Sequence, residues 1–167
     1  PYEHVIPSAC GPGALKITLS HFGENYSELE LSKLCHYTKE NGTEYFDMIK
    51  AAKKLGAKVI VPKARATLKQ VEYYIKTCGV PVLIAWFYCH DFSIIPGGHY
   101  SVIVNIDKNY VLFMDPAQGA KLTRMKRKIF ESLWFGFVGV KEEKVLWNWF
   151  MIPTFGKIPL TNNSRYA

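Results

Sequence analysis

The spacing of apolar residues changes about halfway along the chain, and this change restricts the fold more than any other feature of the sequence. In the first 79 residues, apolar side chains mostly recur at intervals of three and four, as in Leu15, Leu19 and Phe22. From Val80 onward they occur in short runs rich in β-branched and aromatic residues. The first pattern is typical of helices and the second of strands. Helices followed by an antiparallel sheet indicate an α+β fold.

Local signals predict four helices in the first half of the chain. They are expected to begin near Pro12, Ser27, Thr43 and Thr67. Ser27 and Thr67 are each followed three residues later by Glu or Gln, which is the capping-box pattern. Gly23 follows the first apolar stripe and is suited to a helix C-cap. A short strand is predicted at 58–61, before the fourth helix.

The second half is predicted to contain four strands and one helix. The strands cover 80–87, 100–106, 110–114 and 145–152, and a turn at 107–109 joins two of them as a hairpin. A basic helix is predicted at 123–134. Residues 153–167 are expected to form a surface strap or tail. With no internal repeat or linker, the sequence predicts a single domain over residues 1–167.

Composition excludes several classes of protein. Apolar residues make up 49% and charged residues 21% of the 167 residues, which excludes a disordered, collagen-like or coiled-coil chain. The longest apolar run, 80–88, is about half as long as a membrane span requires. None of the four cysteines is spaced as C-x-x-C, so free thiols in a reducing compartment are expected. Cys35-His36 and Cys89-His90 lack the second ligand pair of a zinc site, and we expect no metal and no cofactor.

The strongest local signal for chemistry is a cysteine at the start of the first helix. Cys10 is followed by Gly-Pro-Gly and then by the apolar stripe. A thiol at this place faces unsatisfied N–H groups and the positive end of the helix dipole, and both favour the thiolate, which is the nucleophilic form. Small neighbouring residues leave the sulfur open to a substrate. Cys10 is therefore a candidate nucleophile, the alternative being an ordinary half-buried cysteine.

A nucleophilic cysteine needs a base, and the base needs a group that orients it. His99 begins one strand of the predicted hairpin, and Asp115 ends the other. Antiparallel pairing brings the start of one strand beside the end of its partner. We therefore expect the Asp115 carboxylate to accept a hydrogen bond from one ring nitrogen of His99, while the other nitrogen faces a sulfur.

These three segments together resemble the bacteriocin-processing cysteine peptidases. The matching motifs are Cys10-Gly11-Pro12 opening a helix, His99-Tyr100 in a central strand and Asp115-Pro116-Ala117-Gln118-Gly119 after a hairpin. The similarity runs from about residue 4 to residue 134 and includes the Leu55-Gly56-Ala57 step before the first strand. Members are papain-like domains that cut leader peptides after a Gly-Gly pair, often at the front of peptide-exporting ABC transporters. The resemblance implies a helical N-terminal lobe packed on an antiparallel β-sheet C-terminal lobe.

The resemblance also implies a role for each candidate residue. Cys10 corresponds to the nucleophile, His99 to the general base and then acid, and Asp115 to the orienting group. The backbone N–H of Cys10 corresponds to half of the oxyanion hole. The chain is accordingly expected to be a cysteine endopeptidase that processes leader peptides, in the cytoplasm or at the cytoplasmic face of a membrane.

One position departs from the family pattern. The family has a Gln six residues before the nucleophile, and this chain has His4 there. An imidazole N–H can donate to an oxyanion, so His4 either replaces the Gln or marks a weakened enzyme. The alternative function is therefore a catalytically weak or silent peptide-binding domain of the same fold. A third hypothesis keeps the three residues but transfers the acyl group to an acceptor other than water.

The partners expected from the sequence are a peptide substrate and an ABC transporter on another chain or region. Lysines and arginines exceed acidic residues by 21 to 14, and five of them fall within 121–128. This run is either a solvated helix face or a surface that captures an acidic partner such as a leader peptide or an anionic membrane. Nucleic acid is not expected, because no stacking platform accompanies the charges. Membrane contact is expected only indirectly.

Overall fold

A six-stranded antiparallel sheet carries the helices and positions both halves of the candidate site. The structure is a computed structural model and describes residue 6 and residues 9–62, 65–88, 97–138 and 145–156. The sheet strands are β1 (Lys58–Ile60), β2 (Val82–Tyr88), β3 (Gly97–Ile106), β4 (Tyr110–Asp115), β5 (Lys121–Lys126) and β8 (Trp149–Thr154). Their order across the sheet is β1-β8-β2-β3-β4-β5. Two short strands, β6 (Gly136–Val138) and β7 (Val145–Trp147), pair with each other.

The described residues form five helices, which pack on the two faces of this sheet. They are α1 (Cys10–Ser20), α2 (Glu28–Leu34), α3 (Tyr45–Lys54), α4 (Leu68–Lys76) and α5 (Arg127–Leu133). The first three share one apolar core with the sheet, and this core includes Leu15, Leu31 and Met48. The last two share a second core, which includes Val71 and Phe130, on the other side. The α+β, papain-like prediction is confirmed, with helices on both faces of the sheet.

The capping signals of the sequence are reproduced at three helix ends. Ser27 and Thr67 each accept from a backbone N–H three residues later, and the Glu or Gln at that position bonds back to the cap N–H. Gly23 adopts a φ of +85° just after α1, where the Glu24 N–H reaches back to the Leu19 carbonyl at 3.2 Å. A side chain with a Cβ disfavours this backbone conformation, so glycine ends the helix cleanly.

The prediction of a helix at 123–134 is wrong in its first part. Residues Lys121–Lys126 form β5, which pairs with β4 in a register that places Lys121 opposite Asp115 and Lys126 opposite Tyr110. The helix α5 begins only at Arg127. β5 lies at the edge of the sheet, so it has few buried side chains. Its residues are mostly polar, and the sequence therefore does not show the alternation of apolar and polar residues that is typical of a strand.

Two smaller predictions also need correction. Thr43 does not cap α3: the N-cap residue is Glu44, without a side-chain bond to the helix. The Thr43 carbonyl instead accepts from the Tyr100 hydroxyl at 3.0 Å. The strand predicted at 145–152 is two strands, β7 and β8, and Pro153 and Thr154 still belong to β8. The surface strap predicted for 153–167 therefore does not include these two residues, and positions 157–167 lie outside the described residues.

Hydropathy along the helices bears on membrane insertion. Across the parts of the chain that the structure describes, no helix has the length and apolar character that crossing a bilayer requires.

We predict that Gly11→Ala destabilises the protein, because α1 lies very close to the segment before α3. A Cβ at Gly11 would lie 3.0 Å from Thr43 Cβ and 3.1 Å from Met48 Sδ. Crowding of this kind typically costs about 1–3 kcal/mol. Chemical denaturation should therefore show a lower free energy of unfolding. Gly98→Ala is the control, because a Cβ there meets no atom within 4 Å. Equal stability of the two variants would contradict the prediction.

Candidate active site

Cys10 is the first residue of α1 and is half-buried. The preceding residue, Ala9, is the N-cap and makes no side-chain bond to the helix. The N–H groups of the first turn have no partner within a helix, and the N-cap residue provides no side chain to cover them. Pro12 lies in this turn, where its missing N–H costs nothing. The sulfur of Cys10 therefore lies at the positive end of the helix dipole.

Close packing holds the start of α1 against the loop before α3, and a long-range hydrogen bond holds the same loop to β3. Gly11 lies close to Thr43 and Met48, as described above. Tyr100, next to His99 on β3, donates its hydroxyl proton to the Thr43 carbonyl. Burial and the nearby charges of Cys10 and Glu44 raise the pKa of Tyr100, so it stays a donor. This contact ties the loop, α1 and β3 together around Cys10.

His99 and Asp115 form a buried pair on one face of the sheet. The distance from His99 Nε2 to Asp115 Oδ1 is 2.8 Å, and the two residues are 8% and 0% exposed. The β3–β4 register places Val102 opposite Met114, so His99 and Asp115 lie diagonally across the two strands. Such diagonal pairs are within reach of long side chains. The hairpin expected from the sequence therefore brings these two side chains into contact.

The Asp115 carboxylate is oriented by the backbone as well as by His99. Its Oδ1 also accepts from the Ala117 N–H at 2.9 Å, in the 3₁₀ turn Pro116–Gln118 that follows β4. Its Oδ2 is buried and has no hydrogen-bond partner among the described residues. A buried carboxylate with so few donors favours a positive charge on its neighbour. Asp115 therefore favours the protonated form of the His99 ring.

The Cys10 thiol completes a chain of three groups. Its hydrogen-bonding capacity and its charge act on the His99 ring, and Nδ1 is the nitrogen that remains for this interaction because Nε2 faces Asp115. Burial of the ring opposes its charged form. The hydrogen bonds to Asp115 and Cys10, with their negative charges, outweigh burial and raise the pKa of His99 to about 9. At neutral pH the ring therefore carries both protons.

Two residues that the sequence did not single out support the arrangement of these three groups. Trp86 lies opposite His99 in the β2–β3 register and is 1% exposed. Its ring meets the imidazole edge to face at 6.0 Å between centroids, and its Nε1–H donates to Ser101 Oγ at 3.0 Å. Trp86 therefore forms an apolar wall beside the His99 ring. The strand pattern around Trp86 indicated only burial, because the contact depends on the register between two strands.

Glu28 is the second residue that the sequence did not single out. It is 2% exposed, and its Oε1 accepts from the Ile6 N–H at 3.1 Å, across 22 residues. This bond anchors the segment that leads into Cys10 on the first turn of α2. A glutamate in a first helical turn is ordinary for the helix dipole, so no local signal could reveal the contact.

The remaining candidates lie elsewhere or outside the described residues. His36 contacts Asp47 at 3.4 Å on the surface, and His21 is exposed. Cys35 is buried, and burial raises the pKa of its thiol to about 12. His4, Cys89 and His90 lie outside the described residues. Within the described ranges, no three His, Cys, Asp or Glu side chains group as a metal site requires.

The arrangement can move a proton between sulfur and imidazole. A thiolate beside a protonated ring is a nucleophile with a proton donor already in place. The carboxylate behind the ring fixes its orientation and stabilises its charge. These are the groups needed to attack a carbonyl and to protonate the group that leaves.

We predict that Asp115→Asn lowers the pKa of His99. The ring keeps its proton at neutral pH and loses it as pH rises through about 9. Removing the carboxylate charge should lower the pH at which the ring loses this proton. An opposite charge at this range typically changes a pKa by about 1–3. An NMR titration of the His99 ring measures the change. Asp107→Asn, at the far end of the hairpin, is the control, and equal pKa values in both variants would contradict the prediction.

Comparison with known proteins gives one family for most of the chain. A sequence profile described as the Peptidase C39 family matches residues 4–144. The transport/processing ATP-binding protein ComA of Streptococcus pneumoniae is 29% identical over 127 residues, which are 76% of this chain and 16% of ComA. An uncharacterized protein of Methanothermobacter thermautotrophicus is 32% identical over 139 residues, which are 80% of this chain and 82% of that protein.

Solved structures show the same fold. The peptidase domain of Streptococcus ComA, a bi-functional ABC transporter, superposes with a TM-score of 0.68 at 24% identity, covering 91% of this chain and 95% of that domain. A double glycine motif protease from a PCAT transporter, solved in complex with its leader peptide, gives a TM-score of 0.64 at 16% identity, covering 92% and 91%. The profile match and the shared fold lead to one conclusion: the chain belongs to the peptidase C39 family of cysteine peptidases.

Proposed function

We propose that the chain hydrolyses peptide bonds with Cys10 as nucleophile, His99 as acid and base, and Asp115 as the group that orients His99. The observation that carries this proposal is the buried pair of His99 and Asp115, 2.8 Å apart, whose imidazole ring also interacts with the Cys10 side chain. The three residues come from α1, β3 and the end of β4, so the contact is a product of the fold rather than of local sequence.

The first half of the reaction forms an acyl enzyme. The Cys10 thiolate attacks the carbonyl carbon of the scissile peptide bond, and the carbonyl oxygen becomes an oxyanion. The tetrahedral intermediate then collapses, the C–N bond breaks, and the protonated His99 ring gives its proton to the departing amine. The product is a thioester on Cys10 and a neutral His99.

The second half releases the acyl group. His99, now neutral, takes a proton from a water molecule, whose oxygen attacks the thioester carbonyl. The C–S bond breaks, the peptide leaves as a carboxylic acid, and the thiolate and protonated ring are restored. Asp115 keeps its charge throughout and stabilises the imidazolium each time it forms.

The backbone N–H of Cys10 is proposed as one donor to the oxyanion, because it belongs to the first turn of α1. His4 is proposed as the second donor. Its place lies outside the described residues, so this role rests on the sequence alone. The alternative, a domain that binds peptide without turnover, also rests on His4.

Leader peptides are the proposed substrate, with cleavage after a Gly-Gly pair. The proposal rests on the family and on the neighbours, one of which is a double glycine motif protease solved with its leader peptide. The curated relative ComA is a transport and processing protein of which this chain spans 16%. We therefore propose an ABC transporter on another chain or region as the partner, and a reaction at the cytoplasmic face of a membrane.

We predict that Cys10→Ala abolishes cleavage of a double-glycine precursor peptide. Loss of the nucleophile in such a site typically lowers the rate by about 10³-fold or more. Product formation is measured by mass spectrometry after incubation with full-length precursor. Cys78→Ala is the matched control, since this half-buried cysteine lies on the α4 side of the sheet and belongs to the second core.

The control should cleave as fast as the unmodified chain and should show the same single site. Full activity in Cys10→Ala would overturn the proposal. A product in which an added amine replaces water would show an acyl transferase instead.

We predict that His4→Gln retains or raises the rate, because a Gln side-chain amide is a sound oxyanion donor. His4→Ala removes the donor altogether and should lower the rate by about 10²–10³-fold. Measuring kcat for both variants on the same precursor tests the role of His4. Tight precursor binding by the unmodified chain with no product, and a gain of turnover in His4→Gln, would establish the silent-domain alternative.

A further inference from the structure

A basic cavity lies at the end of the β3–β4 hairpin that is remote from Asp115. It has a volume of about 490 Å³ and is lined by residues 108–110 and 126–129. Tyr110 and Asp115 are the two ends of β4, and the five residue-to-residue steps between them span about 17 Å of extended strand. The cavity is therefore separate from the site at Cys10, and the proposed peptidase reaction does not use it.

One wall of this cavity is formed by residues 108–110 and the other by residues 126–129. Arg127 links the two walls. Its backbone N–H donates to the Asn109 carbonyl at 2.9 Å. Its guanidinium donates to the Asp107 carbonyl at 3.1 Å and to Glu72 Oε2 at 3.4 Å. The side chain is thus occupied by contacts within the protein. Arg127 is a structural brace, and the other cations of the cavity remain for a ligand.

Those cations are Lys108, Lys126 and Lys128, which are all exposed. In the ranges that the structure describes, none of the three forms an ion pair with a carboxylate. Three ammonium groups around one cavity repel one another, so an anion that binds between them is stabilising. Lys108 comes from the turn and the other two from the β5–α5 junction, so the charges come from both walls.

The two carboxylates next to residues of the cavity, Asp107 and Glu72, do not line it. Asp107 Oδ1 accepts from the N–H groups of Asn109 and Tyr110, both at 2.7 Å, and so faces its own turn. Glu72 is paired with Lys76 as well as with Arg127. The acidic groups beside the cavity are therefore engaged by other partners, and its own lining is cationic.

We propose that this cavity binds a compact polyphosphate, either free or as the phosphate chain of a nucleotide. Its volume is in the range of small-molecule sites, about 300–1,000 Å³. Lysine ammonium groups bind phosphate oxygens as charged donors. Tyr110 lines the cavity, and Arg124 lies over its ring at 5.0 Å, which adds a further positive charge. A concave site with cations on two walls fits a compact polyanion better than a flat membrane.

The proposal is tested by titrating the full chain with inorganic tripolyphosphate and measuring heat and melting temperature. We expect saturable binding, a higher melting temperature, and weaker binding as salt screens the charges. Lys126→Gln with Lys128→Gln should weaken binding by about tenfold or more, since two charged donors are lost. Lys53→Gln with Lys54→Gln, on the exposed end of α3, is the control of equal charge and should bind normally.

Several outcomes would overturn the proposal. These are no saturable binding of tripolyphosphate, equal weakening in both double variants, tighter binding of a hexaglutamate peptide, or binding to phosphatidylglycerol vesicles without binding of tripolyphosphate. ATP separates the two sources: affinity equal to that of tripolyphosphate indicates a free polyphosphate, and tighter binding indicates a nucleotide. The proposed peptidase function is tested separately by Cys10→Ala, so a failure of tripolyphosphate binding leaves that function intact.

Discussion

The contact between His99 and Asp115 is the interaction on which the rest of the site depends. It is a diagonal pair across β3 and β4, and it exists only in the register that places Val102 opposite Met114. A change of one residue in that register would turn one of the two side chains to the opposite face of the sheet. The fold protects the register with a buried apolar face on each side. The orientation of the imidazole is therefore a property of the whole sheet.

Much of this could be predicted from the sequence because its causes are local. A cysteine at the start of an apolar helix, two capping boxes, and a hairpin with a turn at its midpoint are each defined by neighbours along the chain. The pairing of His99 with Asp115 followed from counting residues to the turn, since antiparallel strands run back beside each other. The short range of these signals is the reason that they could be read from the sequence, whereas the roles of Cys10, His99 and Asp115 were expected from the family resemblance.

The remaining features depend on contacts between distant segments. Trp86 reaches the imidazole through a strand register, and Glu28 reaches Ile6 across 22 residues, so no periodicity reveals either contact. β5 was mistaken for a helix because an edge strand with exposed basic residues lacks the apolar alternation of a half-buried strand. Thr43 does not cap α3: its buried hydroxyl has no hydrogen-bond partner among the described residues, and its carbonyl accepts from Tyr100, which is 57 residues away.

The position of β8 has a consequence for how the chain is made. This strand, Trp149–Thr154, lies between β1 and β2, and Lys58 pairs with Thr154. On a ribosome, the segments that hold Cys10, His99 and Asp115 emerge before β8 does. Until β8 emerges, β1 has no strand to pair with. The family profile ends at residue 144, before this strand, so a fragment trimmed to the profile would lack an interior strand of its sheet.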